Sequence, residues 1–172
     1  FDCRILPRKL REAGIEPKAA LLGEKARIAD AAFEMARKIF EEEKVPVVGE
    51  WRPSISATDV SAELTAIKVA GANIIDRQGS GPVCITADRQ WGELKIPACI
   101  CGTSNVAQEK THWQATNGNC DYAVTYSGIA YGNLTPKTIP FWDKYEKETG
   151  LFPSQMSVVA YDSMYVLKEG IE

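Results

Sequence analysis

Short unbroken apolar runs alternate with longer stretches whose apolar residues recur every third or fourth position. The runs are Ala19 to Gly23, Pro46 to Trp51, Ala72 to Ile75, Pro97 to Gly102 and Tyr122 to Tyr126, and each predicts a buried strand. Between them, residues 24–44 carry Ile28, Ala32, Met35, Ala36 and Ile39 at the spacing of an amphipathic helix. Residues 5–14 read as a helix closed by Gly14, and 61–71 as one closed by Gly71. Asp59 stands where an N-cap belongs, with Glu63 just inside that second helix. Val83 to Leu94 is a helix with Pro82 near its first turn, and 105–115 a short one. After Thr135 the chain turns helical within 136–149, and again over 157–171.

Strand and helix therefore alternate five times, with strands apolar throughout rather than every second residue. That predicts an α/β fold: a doubly wound parallel sheet covered by helices on both faces. In such sheets ligands sit beyond the carboxyl ends of the strands. The rim so defined comprises the loops 23–28, 52–57, 76–82 and 102–105, with 126–129 as a fifth.

The loop Gly79-Ser80-Gly81-Pro82 leaves three readings open: a phosphate cradle, a cleft loop for a small ligand, or a plain turn. Its glycines allow close approach of the backbone, and the helix that follows favours an anion. It has no Lys-Ser/Thr of a P-loop, and no GxGxxG is present. Thr103 and Ser104 end the fourth strand with hydroxyls, suited to a helix cap, a ligand contact or both.

Composition narrows the classes. The 172 residues carry a net charge of −3 with no basic block, which excludes a nucleic-acid partner. No run approaches the ~20 apolar residues of a membrane span, and no signal-peptide pattern opens the chain. The five cysteines, Cys3, Cys84, Cys99, Cys101 and Cys120, leave at least one unpaired within the chain and read as buried thiols. His112, the single histidine, reads as a surface or structural residue. No GxSxG, HExxH or metal triad occurs, and Glu24 and Asp30 near the rim do not by spacing make an acid–base pair. No catalysis, cofactor or metal is expected. Tyr126, Tyr131 and Trp142 are placed to pack in a core or to close over a ligand.

Four segments in order carry a resemblance. They are KAALLGEKARIADAAFEMARKIFEEEKVPVVGEW, TDVSAELTAIKVAGANII, DRQWGELKIPACICG and SVVAYDSMYVLKEGIE. Together they are similar to the type I periplasmic solute-binding proteins, the branched-chain amino-acid (Leu/Ile/Val) receptors of ABC importers. The resemblance implies two doubly wound lobes that clamp a ligand between them. Residues 1–127 would form the second lobe, and 128–172 a crossover with helices of the other. The chain would then be a piece of a longer protein, lacking the N-terminal lobe.

The resemblance further implies a non-enzymatic protein, periplasmic or extracellular, with or without a lipid anchor on the full-length protein, that binds a small carboxylate-bearing ligand such as a branched-chain amino acid. It would deliver that ligand to the membrane subunits of an ABC permease. The ligand would meet Arg27, Ile28, Gly79, Ser80, Gly81, Thr103, Ser104 and Tyr126, with the carboxylate on N–H groups and hydroxyls. Several members of the family place an acid at the loop where this chain has Thr103 and Ser104, to meet the ligand's amino group. A ligand-sensing regulatory or receptor domain of the same fold is the alternative, and an α/β enzyme a third reading.

Overall fold

The computed structural model describes residues 2–172. The described chain divides into two compact units, one up to Ala107 together with Thr111–Tyr126, the other Gln108–Lys110 with Ser127–Glu172.

The first unit is built on a parallel four-stranded sheet of β1 (Ala19–Gly23), β2 (Val47–Trp51), β3 (Ile74–Gln78) and β4 (Cys99–Cys101). Their order is β2-β1-β3-β4, so the winding reverses between β1 and β3. Helices α1 (Asp2–Glu12) and α2 (Arg27–Glu42) precede and follow β1; α3 (Ser61–Val69) and α4 (Val83–Glu93) flank β3. The step from β1 to β2 runs opposite to those from β2 to β3 and from β3 to β4. Crossovers of one hand therefore place α2 on one face and α3 and α4 on the other.

Side-chain alternation explains the unbroken apolar runs. Ala19, Leu21, Ile74 and Cys101 pack with Phe33, Ala36 and Phe40 of α2 on one face. Ala20, Leu22, Ile75 and Ile100 pack with Leu64, Ile67 and Ala87 on the other. With both faces covered, successive positions of β1, and of β3 up to Ile75, are apolar. Gly14 and Gly71 close α1 and α3 in the left-handed region, at φ 76° and 74°.

The structure departs from the sequence reading at three places. β3 does not stop at Ile75 but runs on to Gln78, with Asp76 and Arg77 buried inside it. The 105–115 helix is a single 3₁₀ turn, Val106–Gln108, and a short α5 (His112–Ala115). Residues 122–126 form no strand. They run beside β4 and only donate to it, from Val124 N–H to Ile100 O (2.9 Å) and Tyr126 N–H to Gly102 O (3.3 Å).

The second unit holds α6 (Thr138–Thr149) and α7 (Gln155–Ile171). Gly150, at φ 72°, ends α6, and Ser154 opens α7 with a capping box shared with Ser157. Phe141 packs on Tyr161 at 5.0 Å between ring centres, and Trp142 on Phe152 at 5.8 Å. A cleft of about 500 Å³ lies among Ile129, Leu134, Phe141, Trp142, Val158 and Tyr161. Much of α7 is solvent-exposed, Val166 at 74% and Ile171 at 76%. No described helix is long and apolar enough to cross a membrane.

Candidate functional site

Reversal of the winding leaves a crevice beyond the carboxyl ends of β1 and β3, and the chain fills its floor with Glu24. This residue directly follows β1 and is 1% exposed. Its carboxylate accepts from Ser80 N–H (3.0 Å), Gly81 N–H (2.9 Å) and the Ser80 hydroxyl (2.9 Å). A buried carboxylate needs such donors, because an unpaired charge in the interior is costly.

The other N–H groups of the loop are also engaged within the chain. Gly79 donates to Thr103 O (3.0 Å), Val83 to Ile55 O (3.3 Å) and Cys84 to Gly81 O (3.1 Å). The first turn of α4 therefore presents satisfied donors rather than an open anion site. The sequence reading gave these N–H groups to a ligand carboxylate; in the structure Glu24 holds those of Ser80 and Gly81.

The two glycines serve close approach to protein side chains. A Cβ on Gly81 would stand 2.4 Å from Ile55 Cγ1. One on Gly79 would stand 2.7 Å from Cys84 Sγ and 2.9 Å from Glu24 Oε2. Burial pushes the Cys84 thiol above its ordinary value, against the pull of nearby Arg77.

Loops 79–81 and 103–104 meet, since Gly79 and Ser104 also form an isolated parallel bridge. Ser104 is fully buried; its hydroxyl accepts from Ala107 N–H at 3.3 Å and so caps the 3₁₀ turn. Thr125 Oγ1 ties the following segment to this loop, donating to Gly102 O (3.1 Å) and accepting from Ser104 N–H (3.2 Å). Of the eight candidate residues, Gly79, Gly81 and Ser104 are buried. Ser80 and Thr103 are half-buried, and Arg27, Ile28 and Tyr126 are exposed. Arg27 and Ile28 sit in the first turn of α2, where Arg27 has no ion-pair partner among the described residues.

The carboxylates around this rim have partners. Asp76 Oδ1 accepts from Gln78 Nε2 at 2.7 Å, and Asp30 pairs with Arg52. Beneath the rim lies a buried polar cluster absent from the sequence reading. Arg77 Nε lies 3.1 Å from Asp88 Oδ1, and His112 Nε2 lies 3.0 Å from Asp88 Oδ2. The carboxylate can only accept, so His112 carries its proton on Nε2. The cluster ties β3, α4 and α5 together, and it makes His112 a buried structural residue. The available signal was Asp88 at i+4 from Cys84, on the helix stripe that faces the core. No group of three or more metal-ligating side chains converges among the described residues.

Comparison with solved structures finds the same fold in several bacterial proteins. A solute-binding protein of an ABC transporter from R. palustris, in complex with benzoate, superposes with TM-score 0.79 at 15% identity, covering 94% of this chain and 44% of that one. Another, from Rhodopseudomonas palustris BisB5 in complex with 3,4-dihydroxybenzoic acid, gives TM-score 0.76 at 19% identity, covering 97% and 46%. A branched-chain amino acid ABC transporter periplasmic ligand-binding protein from Burkholderia xenovorans gives 0.66 at 17% identity, covering 89% and 40%. The chain thus spans less than half the length of these structures. No curated protein sequence matches it. A family model described as periplasmic binding protein matches residues 8–172. That match takes in both units almost entirely, and the chain belongs to the periplasmic binding protein family.

Proposed function

We propose that this chain supplies one wall of the ligand cleft of an extracytoplasmic solute-binding protein that serves an ABC importer. The ligand is a small carboxylate, and the membrane subunits of an ABC permease are the partner. The observation that carries the ligand class is the charge of the rim. Arg27 is exposed without an ion-pair partner, while Glu24, Asp76 and Asp30 are engaged. A cation and the hydroxyl of Thr103 suit a carboxylate, with Ile28 and Tyr126 as apolar surface for the remainder; the Ser80 hydroxyl is taken by Glu24. An α-amino group would find no uncommitted carboxylate among these residues. This favours an aromatic or other plain carboxylate over an amino acid, and structural neighbours of both kinds are known.

The test is a thermal-shift and calorimetric screen with benzoate, 3,4-dihydroxybenzoate, leucine, isoleucine and valine. At ~100 Kd a ligand adds about 2.7 kcal/mol of stability. Selective stabilisation by the aromatic acids is expected. Arg27→Gln should then weaken binding roughly tenfold or more, the worth of a hydrogen bond to a charged group. A shift with leucine and none with benzoate would reverse the preference, and no shift with any carboxylate would remove the ligand class.

A further inference from the structure

The carboxylate of Glu24 lies where the loop and helix that follow β3 would otherwise take an external anion. Three donors converge on it from a single loop, and the residue is 1% exposed. It comes from the neighbouring strand, 56 residues earlier than Ser80. Gly79 permits its approach, because any larger residue there would meet Oε2 at 2.9 Å. The loop is held from the other side by Thr103 O and Ile55 O. Removing the carboxylate would leave two N–H groups and a hydroxyl without acceptors around a space of carboxylate shape.

We infer that Glu24 is a built-in anion: a positioning residue that fixes the Gly79–Gly81 loop and bars that loop to a ligand's carboxylate. Its charge also repels a second anion from the floor of the crevice, so a ligand's carboxylate is left to the outer rim. The specificity half of this statement rests on the ligand reading above; the positioning half does not.

The experiment is chemical rescue of Glu24→Ala in the full chain. Acetate carries the atoms that this substitution removes. Thermal unfolding is followed without any other ligand, in sodium acetate against sodium chloride of equal ionic strength. A fall of several degrees in Tm is expected, recovered in good part and saturably by acetate but not by chloride, with the natural chain indifferent to the choice of salt. Glu24→Gln keeps the shape but sets an amide NH2 against a donor; it should lose part of the stability and gain nothing from acetate. If Glu24→Ala does not fold, this second variant with Ser80→Ala carries the test, both less stable than the natural chain.

Unchanged Tm in the variants, or equal effects of acetate and chloride, would overturn the positioning role. For specificity, binding of benzoate and benzamide is compared in natural and Glu24→Ala chains. A several-fold rise in preference for benzoate in the variant is expected, since the opened donors accept a carboxylate. An unchanged ratio alongside successful acetate rescue would overturn only the barring of ligand anions. Absence of benzoate binding by the natural chain would instead sink the ligand reading and leave the rescue untouched.

Discussion

Arg77 and Asp88 are the residues on which the first unit is most exposed to damage. Both are almost completely buried, and they neutralise each other across β3 and α4. Breaking a buried pair from one side leaves an uncompensated charge and costs about 3–5 kcal/mol. Asp88→Asn should therefore lower the unfolding free energy obtained from urea titration by an amount in that range. The triple change Arg77→Met, Asp88→Leu and His112→Phe should recover much of the loss, because it leaves no member of the buried cluster without its partner. Gly102 is a second sensitive point. It sits at φ 106°, and a Cβ there would stand 2.2 Å from Arg77 O. Gly102→Ala should cost more than ~1 kcal/mol in the same assay. None of these three residues was legible as critical in the sequence. Periodicity ends a strand at its first charged residue, so Asp76 and Arg77 read as loop. The ion pair with the distant Asp88 makes a buried Arg77 tolerable, and pairing across eleven residues leaves no local signal.

Helices and central strands were legible because each has a strong period and clear end signals. Gly71 closes α3; its N-cap is Val60 rather than Asp59, which stands one residue earlier and accepts from Ser61 N–H at 2.9 Å. That backbone hydrogen bond, helped by Ser61 and Gln90 side chains, holds the Asp59 carboxyl below its usual range. Such a group adds stability above its unfolded value of ~3.9, and the gain is lost as pH falls through the lower folded value. Natural and Asp59→Ala chains should then differ in exchange of the first-turn amides of α3 near neutrality. Titrated from about pH 5 to pH 2, they should converge. A constant difference across that range would show that the charge plays no part. The 122–126 segment misled the reading for an equally physical reason. Its composition suits a strand, but it lies at the sheet edge and makes only one side of the ladder. Glu24 was visible near the rim; its place in the Gly79–Gly81 loop depends on the β1–β3 pairing, which no stretch of sequence displays alone.

At the scale of the whole molecule the two units differ in what covers their apolar side chains. In the first, β1 is paired on both sides and Leu21 and Ile74 are sealed by α2. In the second, α7 keeps Met164, Val166, Leu167 and Ile171 more than half exposed. Stability follows burial, so hydrogen exchange should be slowest in β1 and β3 and fast along α7. Equal protection in α7 and β1 would contradict this. The distribution of sulfur turns the same layering into a clock. Cys99 and Cys120 are half-buried thiols and should react promptly with a thiol reagent. Cys3 and Cys101 lie in the layer under α1 and α2, and Cys84 in the layer under α3 and α4. Each must wait for its own layer to part. Mass spectrometry of a timed alkylation would thus report, with no engineered cysteine, which side of the sheet opens first.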